Sequence, residues 1–196
     1  MIKWRTRFLG IILLIGILPV YAQENISFFE EHIDFELDSA YFSINGIYSF
    51  YNPTDQKINQ RIIFPFAVES TQVDSVGIIN LNDLTRIRFQ RMKKAITFFI
   101  NIPPCDTVDI NIFYKQKIAK KNTYIITSTQ SWKQALKKAV YTLTTTLPVD
   151  EKSFSYPFVS KEIINDRTLY RWEEINFMPD REFEVVLEYL PYMDGL

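Results

Sequence analysis

One cysteine and one histidine in 196 residues leave little for metal or nucleophilic chemistry. Cys105 has no partner for an internal disulfide, and a small, buried or half-buried residue beside Pro103-Pro104 is its simplest reading. A zinc site needs several His or Cys ligands, and beyond His32 and Cys105 only carboxylates remain. A Ser-His-Asp arrangement would have to use His32, and no Gly-x-Ser-x-Gly elbow exists to hold its serine. Glycine is scarce too, at five residues, and none of them forms a phosphate-cradling loop. No cofactor or metal is expected. Aromatic and β-branched residues are plentiful instead, a balance that suits pleated, half-buried surfaces.

The N-terminus carries Lys3, Arg5 and Arg7 with no acid, followed by the apolar run Phe8 to Val20. The run closes on Val20-Tyr21-Ala22, with small residues where a signal peptidase reads them. This pattern predicts a cleavable signal peptide over 1–22, cut between Ala22 and Gln23, and a single domain over 23–196. The run is shorter than the ~20 apolar residues of a spanning helix and contains Pro19. The expected location is therefore secreted or periplasmic, reached through the general secretory pathway, with no stable membrane span after cleavage. No cysteine follows the run to take a lipid. Removing three of the 22 basic residues leaves 19 against 23 acids, a net charge of −4 with no pull towards nucleic acid.

Period-two alternation recurs through the rest. In 32–38, Ile33, Phe35 and Leu37 point one way while Asp34, Glu36 and Asp38 point the other. Tyr41 to Tyr51 forms the next strand and ends on the turn Asn52-Pro-Thr-Asp55. The apolar run 61–68 reads as an inner strand, yet Pro65 cannot donate to a ladder and asks for an edge or a bulge. Further strands are expected over 75–81, 86–90, 95–102, 107–117, 123–128, 141–147, 168–172 and 182–190, with turns at Asn82-Asp83 and Lys120-Lys121-Asn122. The last strand should turn Phe183, Val185 and Leu187 inward. Ser131-Trp-Lys-Gln134 matches a capping box, and Trp132, Ala135, Leu136 and Ala139 share one face at helical spacing. One short amphipathic helix over 132–139, docked on the sheets, is the expectation. The fold class is mainly all-β, an antiparallel β-sandwich with that helix. A membrane barrel fits less well, because 61–68 is apolar on both faces and the chain lacks a terminal aromatic.

Several charge clusters invite chemistry, and each has a plainer explanation. Asp34, Glu36 and Asp38 could serve calcium, but no turn converges their oxygens. Arg86, Arg88, Arg91, Lys93 and Lys94 surround Phe89 and Met92, a pattern that suits an acidic glycan or, more simply, a charged hairpin that protects strand edges. Glu173, Glu174, Asp180, Glu182 and Glu184 could supply a glycosidase pair, although strand alternation already explains them. Trp132, Tyr170, Trp172, Glu173 and Glu174 are the candidate surface for a ligand or partner, since exposed aromatics beside acids suit carbohydrate or protein.

Three segments carry a resemblance: Gly46-Ile-Tyr-Ser-Phe-Tyr-Asn-Pro53, Ile63-Phe-Pro-Phe66 and Tyr170-Arg-Trp-Glu-Glu-Ile-Asn-Phe-Met-Pro-Asp180. Together they resemble a group of bacterial exported domains of unknown function. The first two are also similar to the opening strand–turn–strand of vault protein inter-alpha-trypsin domains. The resemblance implies a β-sandwich and an envelope location, and it transfers no catalytic residue. The resulting expectation is an exported, non-enzymatic binding or assembly module whose partner is a protein or glycan of the cell envelope. The alternative is a small carbohydrate-active hydrolase using the acids near the C-terminus.

Overall fold

A computed structural model describes residues 26–190. The expected signal peptide and its Ala22–Gln23 cut lie outside these residues. The fold is all-β, with thirteen strands among the described residues: β1 (Ser27–Leu37), β2 (Tyr41–Tyr51), β3 (Ile58–Pro65), β4 (Val73–Asn80), β5 (Thr85–Arg86), β6 (Phe89–Met92), β7 (Ala95–Ile102), β8 (Thr107–Lys117), β9 (Lys121–Tyr124), β10 (Leu136–Thr145), β11 (Ser160–Ile164), β12 (Arg167–Phe177) and β13 (Phe183–Val186). Eight of them form one sheet in the order β11-β12-β10-β1-β2-β8-β4-β5. Two smaller sheets, β3-β7-β6 and β13-β9, pack on its inner face.

Alternation assigns the faces as the sequence predicts. On β1, Ile33, Phe35 and Leu37 are buried while His32, Asp34 and Glu36 are exposed. On β2, Phe42, Ile44, Tyr48 and Phe50 face inward, and on β8 Val108, Ile110, Ile112 and Tyr114 do. Aromatic rings join the layers: Phe35 of the large sheet stacks on Phe183 of β13 with centroids 4.6 Å apart. Phe183 and Val185 are buried, as expected of the last strand, and so is Leu187 just beyond it.

The expected helix over 132–139 does not form. A single 3-10 turn occupies Thr127–Trp132 and ends at Lys133, whose φ of 57° is left-handed. Ser131 Oγ donates to Ser128 O at 2.7 Å, and Gln134 Nε2 donates to Phe28 O at 3.2 Å and to Ser27 Oγ, so no capping box exists. From Leu136 onward the chain is β10, parallel to β1 on one side and antiparallel to β12 on the other. A two-turn helix gains little on its own, whereas a central strand satisfies both of its backbone edges. Long-range pairing therefore overrides the local helical pattern.

Asn52 fixes the passage from β2 in the large sheet to β3 in the second layer. It is fully buried. Its Nδ2 donates its two hydrogens to Gln56 O (2.7 Å) and Pro103 O (2.9 Å) and lies 3.2 Å from Ile102 O, and its Oδ1 accepts from Thr54 N and Oγ1. The neighbouring Cys105 is exposed rather than buried, because it sits at the tip of the facing turn with φ 51°. The basic stretch 86–94 spans the step from β5, an edge of the large sheet, to β6, an edge of the small one. Its charges thus lie where unpaired edges need protection.

Replacing Asn52 by Ala removes the amide that ties this turn to Gln56 and Pro103, so a loss of about 2 kcal/mol is expected from urea unfolding. A loss below ~1 kcal/mol would mean that water reaches this turn and that Asn52 does not hold β3 in place.

Candidate functional site

The large sheet's inner face is not fully covered. Between β3 and the segment Tyr124–Lys133 lies a cleft of about 480 Å³, within the size range of small-molecule sites. Its floor comes from the large sheet: Phe28 and Glu31 on β1, Tyr48 and Phe50 on β2. Gln60 to Pro65 of β3 form one wall, and Trp132 with Lys133 closes part of the other. The Trp132 ring packs 5.9 Å from Phe28 and 5.6 Å from Phe50.

Glu31 is the one acid among the described residues that line this cleft. Its side chain is buried, with 5% of the residue exposed. Tyr141 Oη donates to Oε1, and Oε2 has no hydrogen bond among the described residues. Burial pushes the carboxyl pKa up to about 7, against a lowering contribution from the Tyr141 hydrogen bond. Directly across the strand pair from Glu31 stands Tyr48, whose hydroxyl lies 2.6 Å from that of Tyr124. Burial, with Glu31 nearby, raises the pKa of Tyr48, Tyr124 and Tyr141 well above the phenolic range, so all three stay neutral. The pair of hydroxyls shares one hydrogen bond, which leaves one proton and several lone pairs for a ligand.

Gly46 makes room for this arrangement. A Cβ there would lie 2.4 Å from Tyr48 Oη and 2.7 Å from its Cζ, so the ring rests on the glycine backbone. Gly46→Ala is expected to push Tyr48 off Tyr124 and cost about 1–3 kcal/mol, the usual range for overpacking. The check is urea unfolding together with the ring signals of Tyr48 and Tyr124 in NMR spectra. An unchanged Tyr48 environment would show that the ring is not seated by the missing Cβ.

The sequence-predicted surface is placed elsewhere. Tyr170 and Trp172 are in the core at 3% and 0% exposure and present no surface. Trp172 packs against Phe154 and Phe183, and its Nε1 donates to Tyr156 O at 2.8 Å. Trp132 alone of the five lines the cleft. Glu173 faces outward, bridged to Arg171 at 2.8 Å and Lys138 at 3.0 Å, and these cations hold its carboxyl below the ordinary range. Glu174 points to the other face, in the same cross-strand row as Ala139 and Glu31, without lining the cleft.

The remaining acids do not converge. Asp180 pairs with Arg181 at 2.9 Å, and Glu184 pairs with Lys121 at 2.8 Å. Glu182 accepts from the backbone N–H groups of Ile126 and Thr127. Asp34 accepts from Thr142 Oγ1, Glu36 pairs with Arg167, and Asp38 caps Ala40 and Tyr41. Among the described residues no group of three or more His, Cys, Asp or Glu side chains could hold a metal ion, and no helix is long and apolar enough to cross a membrane.

Glu31 was legible in principle. Stepping back by two from Ile33, Phe35 and Leu37 places residue 31 on the buried face. The irregular register between Phe28 and Glu30 then brings Phe28 inward as well. A carboxylate on an otherwise apolar strand face is a stronger signal than acids on a solvent face.

The raised pKa has a sign. Folded Glu31 keeps its proton up to about pH 7, whereas the unfolded side chain releases it near 4.5. Between those values the native state binds the extra proton, so stability is greatest on the acid side and falls by roughly 3 kcal/mol as pH rises to 7. Glu31→Gln retains an acceptor for Tyr141 and removes the titration. The variant should melt higher than the parent at pH 8 and should lack the decline between pH 5 and 7. Equal destabilisation at every pH would show that Glu31 is ionised and internally paired.

No protein-family model matches the chain. No curated protein matches it either. Solved structures do share the fold. A Legionella pneumophila protein described as a putative nutrient binding protein superposes with a TM-score of 0.70 at 12% identity, covering 83% of this chain and 66% of its own. An M1 zinc metallopeptidase from Deinococcus radiodurans superposes with a TM-score of 0.53 at 9% identity, covering 84% of this chain and 43% of its own. The chain thus spans just under two thirds of the first protein and under half of the second. At these identities the likeness concerns the fold alone: this all-β layered arrangement recurs in proteins of different activity, and the site must be argued from its own residues.

Proposed function

We propose that this chain is an exported, non-enzymatic binding module of the bacterial cell envelope, and that its ligand enters the cleft between β3 and Tyr124–Lys133. The observation that carries this reading is the buried Glu31 carboxyl with one oxygen unpartnered, aimed at an aromatic-lined cavity. Apolar walls with a few convergent polar groups are the usual make-up of a ligand site. The carboxyl oxygen that opens onto the cleft has no protein partner among the described residues, and a ligand that enters can supply one. The similarity to the Legionella protein supports a binding role. The separate engagement of Glu173, Asp180, Glu182 and Glu184 supports a module without a hydrolytic acid pair. The basic leader and apolar run at the N-terminus support export.

The test is a thermal-shift screen of amino acids, short peptides, sugars and primary amines on protein purified after expression of the full chain. A ligand present at a hundred times its Kd should stabilise the fold by about 2.7 kcal/mol. The shift should disappear in Trp132→Ala and shrink in Glu31→Gln. A ligand whose shift is the same in both variants binds elsewhere and overturns the assignment of the cleft.

A further inference from the structure

The second layer is incomplete along one line, and the gap exposes backbone as well as side chains. β3 pairs with β7 on one side only, and β9 pairs with β13 on one side only. The free edge of β3 borders the cleft. Which of its backbone groups face the gap follows from the phase of the ladder. Phe66 N–H donates to Lys94 O at 2.8 Å, in register with the β3–β7 pairing. Hydrogen-bonded and non-hydrogen-bonded residues alternate along an antiparallel pair. Phe64 and Ile62 therefore exchange bonds with Ile96 and Phe98, while Arg61, Ile63 and Pro65 turn their backbone groups away from β7. Gln60 Nε2 already donates to Arg61 O at 3.0 Å. The N–H of Arg61, both groups of Ile63 and the carbonyl of Pro65 remain without partners among the described residues.

Two independent features thus meet in one cleft: a row of unpaired strand-edge groups, and the carboxyl of Glu31, one oxygen of which has no protein partner among the described residues and opens onto the cleft. We propose that the cleft receives an extended peptide, which adds as a strand to the free edge of β3 and carries a cationic group down to Glu31. The inference rests on the reading of this cleft as the binding site. Added strands draw affinity from main-chain hydrogen bonds and specificity from pockets for alternate side chains. Gln60 to Pro65 offer six residues of wall, roughly 20 Å at ~3.3 Å each, which accommodates about five residues of peptide. Of the inward-facing side chains, one meets Glu31, and the next, two residues along, meets the rings of Phe28, Phe50 and Trp132.

The charge around Glu31 favours a cation. Tyr48 from β2, Tyr124 from β9 and Tyr141 from β10 face it, all neutral and all capable of accepting a hydrogen bond. Lys133 and Arg61 line the cleft farther out, and Arg61 Nε is held by Thr97 Oγ1 at 2.9 Å. These two cations suit the carbonyls or carboxylate of a peptide rather than its ammonium.

The test is calorimetric titration at pH 8, with Trp132 emission followed in parallel. The first probe is a blocked five-residue peptide with lysine at its centre, leucine at both ends and serine between. The comparison probes are its norleucine counterpart, the lysine peptide N-methylated at alternate amides, and pentylamine. The lysine peptide should bind at least tenfold more tightly than the norleucine one, and more weakly as pH falls from 8 to 5.5 and Glu31 takes up a proton. Methylation of the amides that face β3 should abolish binding, and Glu31→Gln should bring the lysine and norleucine peptides to equal affinity. Equal binding of methylated and unmethylated peptides, or of lysine and norleucine peptides to the parent, overturns the inference. Pentylamine binding as tightly as the peptide, lost in Glu31→Gln, overturns the peptide but leaves the cleft as a small-ligand site. No change in heat or Trp132 emission with any probe overturns the peptide inference, and the broader thermal-shift screen then decides the cleft itself.

Discussion

The two layers differ in width, and the site follows from that difference. Eight strands stand against five, and at ~4.8 Å per strand the large sheet is roughly 14 Å wider than its cover. The surplus on one flank is covered by irregular chain. There Phe154 and Phe158 pack edge-on against Tyr170 and Trp172 of β12. In the middle, between β3 and β9, the surplus is left open, and the inner face of β1 and β2 becomes the floor of a cleft. A polar group placed there sits at the depth of a core without the neighbours of one. Glu31 occupies that place: burial against the large sheet raises its pKa, and the missing cover leaves one carboxyl oxygen without a partner among the described residues.

Stability and recognition pull against each other at this position. An ionisable group on a buried sheet face costs the native state unless it is neutralised or paired. The surrounding tyrosines supply hydrogen bonds without countercharge, so neutralisation by a proton is the resting solution near pH 7. A cation offers another. The same groups that make the empty cleft costly make it selective, since an apolar ligand would leave the carboxyl buried and unpaired. Gly46 and Asn52 serve this geometry at a distance, the first by letting Tyr48 lie flat against the sheet, the second by setting where β3 begins.

The fold was largely legible in the sequence, and the site was not. Alternation in 32–38 and 107–117 assigns inside and outside correctly, and Pro65 correctly announces an edge, since β3 has no partner beyond it. The apolar character of 61–68 suggested an inner strand, because Phe64 and Phe66 pack inward just as strongly from the rim of a cleft as from the middle of a sheet. The 132–139 segment misled for a different reason. Trp132, Leu136 and Ala139 are inward-facing in a turn and a strand that happen to mimic helical spacing, and the parallel pairing of β10 with β1 leaves no local trace. Tyr170 and Trp172 have the chemistry of an exposed platform, and chemistry alone cannot separate a platform from a core. Glu31 stands just before the stretch where alternation becomes regular, next to the irregular register between Phe28 and Glu30, so its inward direction is hard to see in the sequence. A gap in the second layer is a property of tertiary structure, and the residue that marks it becomes meaningful only when the missing neighbours are seen.

The account depends on Glu31 being buried yet accessible to protons in the empty cleft. The most direct measurement is a carbon-detected NMR titration of the Glu31 side-chain carboxyl in the ligand-free protein. The predicted midpoint is about pH 7, moving downward when a cationic ligand occupies the cleft. A midpoint near 4.5, the ordinary glutamate value, would place the carboxyl in water and contradict the account.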